Sequence, residues 1–363
     1  MARSFVADLL RPELAEMAPY APHPGSFAIR LDANEAPPLL SDEARALLAG
    51  AAAELAWQRY PDASVEELSA ALAARTSVSR QEVLVGVGSD ELIALLLTAL
   101  AAPRPDSDAP VVLTTTPTFV MYRMSARVRG QRVLEVPLGA DWDLSSEALA
   151  AALRVAEPSV VFIASPNNPT GNLMSRGRLE ALIQAAPRSL VVIDEAYIDY
   201  SDQDQLDLYR RYENVAVLRT LSKIGFASLR VGWLVARPEL VRELDKVRLP
   251  YNMPAASQRL GVLAVTELAP EIERVTRLVQ LERARVTEAL AGLPNVEVTP
   301  SQANFVWVRS ARPAQEIFES LAASGILVRS FHARGGRLAH QLRVTLGTPA
   351  ENDAFLEAYR ALV

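Results

Sequence analysis

The chain has no cysteine, three histidines and two lysines among 363 residues, and each shortage removes a class of chemistry. Without cysteine there can be no disulfide, thiolate zinc site or cysteine nucleophile. His23, His332 and His340 are scattered, so a histidine-rich metal site is not expected and no metal is assigned. No apolar run reaches the length needed to cross a bilayer. The opening residues, MARSFVADLLRPELAEM, are broken by Arg11, Pro12 and Glu13 and do not form a signal-peptide core. A net charge of −6 argues against a general nucleic-acid binder, which carries a basic face. Half the residues are hydrophobic and 22% are charged, an ordinary globular balance in a chain long enough for two domains. These bounds predict a soluble, cytoplasmic protein that engages neither membranes nor nucleic acid.

The shortage of lysine also marks a position. Only Lys223 and Lys246 are present, and every other cationic chain apart from histidine is arginine. An exposed lysine drifts to arginine at almost no cost. It cannot do so where an amine must lose its proton and attack a carbonyl, because guanidinium stays protonated. Lys223 lies in LRTLSKIGFASLRVG, between a predicted strand and a glycine-containing loop. Rarity alone leaves two readings, a Schiff-base lysine or a surface lysine that has not drifted.

Along the chain, the first thirty residues form a proline-rich arm that has little to bury by itself. Helical periodicity follows over Asp42 to Ala56, and QRYPDASVEELSAALAART reads as a loop and a helix capped by Ser64 and Glu67. A series of apolar runs comes next: VLVGV, VVLTTT, SVVFIA, SLVVID, NVAVLRT and VGWLV. Each is apolar almost throughout, as strands buried on both faces of a mainly parallel sheet should be. Helical stretches lie between several of them, which predicts an α/β sheet. The polar residues gather at the carboxyl ends of the runs, where open α/β sheets bind ligands. After KVRLPYNMPAASQ the pattern changes to a long helix over Pro270 to Leu290, shorter strands, and a last helix capped by Thr348 and Glu351. The predicted division is an arm at 1–30, a large α/β domain at 31–255 and a smaller α+β domain at 256–363.

The strand ends carry the chemistry. Asp194 ends an apolar run, where it serves either as a helix N-cap or as the partner that keeps a pyridinium nitrogen protonated. Tyr197 could reach the same ring. Asn168 sits in SPNNPTG, a tight turn whose amides could also serve a ligand oxygen. Gly86, Gly88, Ser89 and Asp90 open a helix and suit an anion, without the third glycine of a dinucleotide fingerprint. Ser222 and Arg230 flank Lys223 and could hold a phosphate. Arg343, in LRVTLGT, is either a surface arginine or a clamp for an anionic substrate group.

Taken in order, these segments resemble the fold type I pyridoxal-phosphate aminotransferases, and among them the histidinol-phosphate aminotransferase branch. The resemblance runs through APYAPHPG, LDANEAP, QRYPD, GVGSDEL, PTFVMY, SPNNPTG, VVIDEAY, TLSKIGFASLRVGW, PYNMP, ANFVWVR and LRVTLGT. It implies a large domain with a mainly parallel seven-stranded sheet flanked by helices, and transfer of an amino group between histidinol phosphate and 2-oxoglutarate. Aromatic amino-acid aminotransferases and threonine-phosphate decarboxylases share nearly every motif, and a non-catalytic binding domain of the same fold is the remaining alternative. By the resemblance, pyridoxal 5′-phosphate is the cofactor and Lys223 is joined to it. Asp194 pairs with its ring nitrogen, Tyr197 and Asn168 hold its ring oxygen, and Phe119 stacks on the ring. The phosphate lies on Ser89, Asp90, Ser222 and Arg230, with Tyr60 supplied to the neighbouring subunit of a homodimer with shared sites. Tyr20, Asn34, Arg329 and Arg343 meet the substrate's anionic end. Three features depart from the usual pattern: Phe119 replaces a frequent tyrosine, Lys223 and Arg230 are seven residues apart where eight is common, and LDANEAPP replaces Asn-Glu-Asn-Pro.

Overall fold

Seven strands build the central sheet of the computed structural model, which describes residues 5–19, 23–104 and 107–363. They are Val83–Val87 (β1), Val111–Thr116 (β2), Arg132–Pro137 (β3), Val160–Ala164 (β4), Leu190–Asp194 (β5), Val215–Thr220 (β6) and Val231–Val235 (β7). Their spatial order is β1-β7-β6-β5-β4-β2-β3. Strands β2 to β6 pair in parallel, whereas β7 runs antiparallel to both β6 and β1. Every residue of β4, β6 and β7 is buried, which accounts for their nearly continuous apolar sequences, broken only by Arg219 and Thr220 at the end of β6. RVLEVP, which forms β3, lies at the sheet edge with only one residue fully buried, so it lacks that signature. The fold is α/β, with helices flanking a mainly parallel sheet.

Two helix starts were expected to carry capping boxes, and only one does. At Pro349–Arg360 the Thr348 hydroxyl and the Glu351 carboxylate cap each other's backbone N–H groups. Before Glu66–Thr76 the box of Ser64 and Glu67 does not form. Val65 takes the left-handed conformation (φ 52°), and Asp62 accepts from the N–H groups of Ser64 and Glu66 at 2.9 Å each. A carboxylate is the stronger acceptor, and the Ser64 hydroxyl itself donates to it at 2.7 Å.

A second, antiparallel sheet holds Val296–Thr299 (β8), Phe305–Ser310 (β9), Arg329–Ser330 (β10) and Gln341–Thr345 (β11), in the order β10-β11-β9-β8. Helix Gly88–Ala99 (α1) follows β1 directly, and helix Ala269–Ala291 (α2) leads into the second sheet. Ile272, Val275, Val279, Val286 and Leu290 of α2 are buried at helical spacing. Arg283 of the same helix donates to the carbonyls of Tyr200 and Ala303 at 2.9 and 3.0 Å. That guanidinium joins the loop after β5 to the loop before β9. A further junction comes from Ile29–Arg30, which pairs in parallel with Ile326–Leu327. Just beyond, Thr345 N donates to Leu31 O at 2.9 Å. These contacts hold the LDANE segment against Ile326–Leu327 and β11. Ahead of it, Phe5–Leu9 and Pro12–Glu16 are single helical turns whose Phe5 and Leu9 side chains are exposed. Among the described residues, no helix is long and apolar enough to cross a membrane.

Candidate active site

The polar strand ends meet at one edge of the central sheet because of how its strands run. Strands β2, β4, β5 and β6 all finish there, delivering Phe119, Asn168, Asp194 and Lys223. Reversal of β7 brings its first residues, preceded by Arg230, to the same edge, and β1 ends beside them at α1.

Asp194 lies deepest. It is 4% exposed, and both oxygens are held: Oδ1 accepts from Ala196 N at 3.0 Å and Oδ2 from the Tyr122 hydroxyl at 2.5 Å. Burial raises its pKa from 3.8 to about 6, while the bonds from Tyr122 and Ala196 and the charge of Lys223 oppose the rise. Tyr122 is completely buried and stacks on Phe162 with ring centroids 4.8 Å apart; burial and the Asp194 charge push its pKa well up. Phe119 meets the Tyr122 ring edge-on at 5.5 Å. The neighbouring acid, Glu195, is turned away to a buried ion pair with Arg219 at 2.7 Å, which also reaches Asp204.

Lys223 and Tyr197 are adjacent, with the amine 5.8 Å from the phenol ring centroid. The Tyr200 hydroxyl donates to the Lys223 carbonyl at 2.5 Å and so fixes the backbone beneath the amine. Tyr197 is 5% exposed, packs edge-on to Phe305, and its hydroxyl accepts from Asn34 Nδ2 at 2.9 Å.

The anion cradle is a close backbone approach between α1 and β7. A Cβ on Gly232 would lie 2.5 Å from Gly88 C and from Ser89 N, so only glycine lets the strand run under the helix start. Gly88, at φ +74°, donates its N–H to the Arg230 carbonyl at 2.7 Å. The seven-residue interval from Lys223 closes through a single turn at Ala227–Leu229, with Arg230 itself left-handed at φ 52°. Its guanidinium then lies 3.5 Å from both Ser222 Oγ and Asp90 Oδ2. Asp90 Oδ1 is buried with no hydrogen-bond partner among the described residues.

The adjacent asparagines of SPNNPTG divide their work. Asn167 is fully buried and bonds Pro117, Thr118 and Thr170, holding the turn. Asn168 is half-buried, and its Oδ1 accepts from Arg343 Nη1 at 2.6 Å. Arg343 also donates to the Asp32 carbonyl. Arg329 sits directly opposite Arg343 on the neighbouring strand and is exposed, so both guanidinium groups leave the same sheet face. Asn34, at φ 56°, bonds Tyr197 and Thr345. Tyr60 is 83% exposed and stacks on Tyr251 at 4.8 Å. Tyr20 lies outside the described residues.

Tyr122, Tyr200 and Thr345 also hold the site together. Each had a signal: Tyr122 is one helical turn beyond Phe119 in PTFVMY, Tyr200 follows Tyr197 by three, and Thr345 shares the strand face of Arg343.

Residues 28–358 match the family Aminotransferase class I and II. The chain belongs to that family. Among aminotransferases of known sequence, it is 41% identical to the histidinol-phosphate aminotransferase of Chromobacterium violaceum over 354 residues, covering 97% of each chain. It is 39% identical over 363 residues to histidinol-phosphate aminotransferase 2 of Cupriavidus pinatubonensis, covering 99% of this chain and 97% of the relative. Among solved aminotransferases, the Sinorhizobium meliloti histidinol-phosphate aminotransferase in complex with pyridoxal-5′-phosphate superposes with a TM-score of 0.83 at 25% identity, covering 97% of this chain and 98% of that one.

Proposed function

We propose that the chain is a pyridoxal 5′-phosphate-dependent histidinol-phosphate aminotransferase. It moves an amino group reversibly between histidinol phosphate and 2-oxoglutarate, the products being imidazole-acetol phosphate and glutamate, a step of histidine biosynthesis. The observation that carries the reading is Lys223 beside Tyr197, at the sheet edge where Asp194 is buried. A relative 41% identical over 97% of its length bears the same enzyme name.

The donor set fits the cofactor. A buried carboxylate held at both oxygens suits a protonated pyridine nitrogen. Tyr197 and Asn168 offer polar groups to a ring oxygen, and Phe119 offers an aromatic face. Ser89 and Asp90 present backbone N–H groups at a helix start, with Ser222 and Arg230 alongside, as a phosphate requires. When bound, the cofactor supplies the electron sink for breaking the bond from the substrate carbon to hydrogen. Lys223 would hold the cofactor's aldehyde and, as a free amine, would move the proton at the substrate carbon. Its neighbours keep it in place: Tyr200 pins its carbonyl, and Asp194 contributes negative charge nearby. Arg343 and Arg329 take the substrate's anionic end, together with Tyr20, and Asn34 bounds that end while its amide stays engaged.

The active unit is a homodimer with shared sites, in which Tyr60 reaches the partner's phosphate. Supporting this, Trp57, Tyr60 and Leu249 are 76%, 83% and 71% exposed, and Tyr251 beside them is 48% exposed. Each subunit divides into the arm at 1–30, the large domain at 31–255 and the small domain at 256–363, and the enzyme works in the cytoplasm.

Purified protein supplied with pyridoxal phosphate is expected to show a visible absorption band and to convert histidinol phosphate with 2-oxoglutarate. Lys223→Ala removes both band and turnover; a fully active alanine variant overturns the mechanism. Turnover of phenylalanine or tyrosine, or release of carbon dioxide from threonine phosphate, with none of histidinol phosphate, overturns the specificity. Sedimentation as a monomer at assay concentration overturns the shared site.

A further inference from the structure

Behind Tyr197 lies a line of buried hydrogen bonds contributed by distant parts of the chain. Asn34 Nδ2 donates to the Tyr197 hydroxyl at 2.9 Å, and Thr345 Oγ1 donates to Asn34 Oδ1 at 3.1 Å. In return Asn34 N donates to Thr345 Oγ1 at 3.0 Å, and Asn304 Nδ2 donates to Asn34 O at 3.1 Å. Asn34, Thr345 and Tyr197 are 1%, 3% and 5% exposed. Asn34 keeps a left-handed backbone (φ 56°), a conformation that asparagine adopts more readily than most residues.

Counting donors against acceptors gives each bond a direction. The Thr345 hydroxyl has one proton, and its oxygen already receives the Asn34 backbone N–H. Its proton therefore goes to Asn34 Oδ1, which leaves Nδ2 facing Tyr197. Turning the amide over would place two donors on the Thr345 oxygen and strand its proton in a buried site. With Nδ2 donating to it, the phenol oxygen is an acceptor, and its own proton is left for another group.

We propose that Thr345 and Asn34 are positioning residues that fix Tyr197 as a hydrogen-bond donor to an anionic ring oxygen of the bound cofactor. The proposal rests on reading the site as a pyridoxal-phosphate site. A phenol held as a donor lowers the basicity of the oxygen it meets and keeps it anionic. The charged groups around that phenol are Lys223, 5.8 Å from its ring centroid, Asp194, and Arg343, which packs 5.5 Å from the neighbouring Phe305 ring. A Thr345 hydroxyl two residues from Arg343 also means that one strand serves both cofactor and substrate.

The test is a pH titration of the visible band in the holoenzyme of wild type, Thr345→Val, Thr345→Ser, Tyr197→Phe and the double variant Thr345→Val/Tyr197→Phe. Cofactor dissociation constants are measured in parallel. Thr345→Val keeps the side-chain shape, removes the proton that orients Asn34, and raises the midpoint by roughly one pH unit, about a tenfold change in the ionisation constant. Thr345→Ser restores it. In the Tyr197→Phe background Thr345→Val adds nothing. A wild-type midpoint in Thr345→Val, or an equal further shift in the double variant, overturns the proposal while leaving the cofactor reading intact. If wild-type protein forms no band that borohydride removes, the cofactor reading fails and the proposal fails with it. Should Thr345→Val fold poorly, the Asn34→Asp variant replaces the amide donor with an acceptor and must raise the midpoint in the same direction; no rise overturns the proposal.

Discussion

Tyr122 donates its phenolic proton to Asp194 Oδ2 across 2.5 Å, with both groups enclosed by protein. A hydrogen bond to a buried carboxylate is worth more than a neutral one, because the charge has lost its water. Tyr122→Phe leaves Asp194 with the Ala196 N–H as its remaining donor in the structure. The expected outcome is a loss of about 1.5–3 kcal/mol in urea denaturation. Pyridoxal-phosphate binding should weaken by about tenfold in equilibrium dialysis, the equivalent of 1.4 kcal/mol. Unchanged stability together with unchanged cofactor affinity would show that the short contact contributes nothing.

Burial raises the Asp194 pKa from 3.8 to about 6 despite the bonds from Tyr122 and Ala196. A folded-state pKa above the unfolded value means that the folded protein binds more protons between those values. The contribution is fully present below about pH 4 and is lost as pH rises through about 6. Over that window the cofactor-free protein should lose on the order of 3 kcal/mol from this group. Asp194→Asn removes the dependence, and Glu195, which burial also raises, cancels in the difference between the two proteins. Urea melts at several pH values provide the comparison. Parallel curves for wild type and Asp194→Asn would contradict it.

Two glycines should respond in opposite ways to the same substitution. Gly232→Ala places a methyl group 2.5 Å from Gly88 C and Ser89 N, both backbone atoms that cannot swing aside. Its expected cost is about 1–3 kcal/mol, with weaker binding of the cofactor's phosphate. Gly50, inside the helix Asp42–Ala53, has nothing within 4 Å of the added methyl. Gly50→Ala should therefore stabilise by about 0.5–1 kcal/mol. Thermal melts and dialysis of both variants check the pair.

Arg343 uses two arms of its guanidinium, one on Asn168 Oδ1 and one on the Asp32 carbonyl. Lysine keeps the charge and loses the fork. Arg343→Lys should raise KM for 2-oxoglutarate by about tenfold or more, the effect of losing a charge-assisted bond. The cofactor's visible band should remain. Steady-state kinetics with the amino acceptor varied will measure it. A KM within twofold of wild type would place the substrate's anionic end elsewhere.

How far the sequence disclosed this architecture depended on how local each cause was. Strand β4 was readable because burial on both faces leaves only apolar residues in it, and β6 because the same holds from Val215 to Leu218. Edge strand β3 was not, because half-exposed positions break that pattern. The cap at Thr348 was readable, since its partner Glu351 is three residues away and has no rival. At Ser64 the nearby Asp62 competed successfully, a contest that spacing rules do not weigh. Lys223, Asp194 and Asn168 stood out by residue type at strand ends. Tyr122 carried no assignment from its sequence position, and its value comes from a carboxylate 72 residues further on. Asn34 was legible as a motif residue, whereas its bonds to Tyr197 and Thr345 could come only from the folded chain.

Asn34 and Thr345 are 311 residues apart, and Asn168 and Arg343 are 175 apart. Contacts of such long range carry a large loop-closure cost and form only after the intervening chain has been ordered. On the ribosome, the segment that supplies Arg343 and Thr345 therefore emerges well after Lys223, Asp194 and Asn168. A nascent chain halted before β11 carries the lysine yet lacks the strand that orders its surroundings.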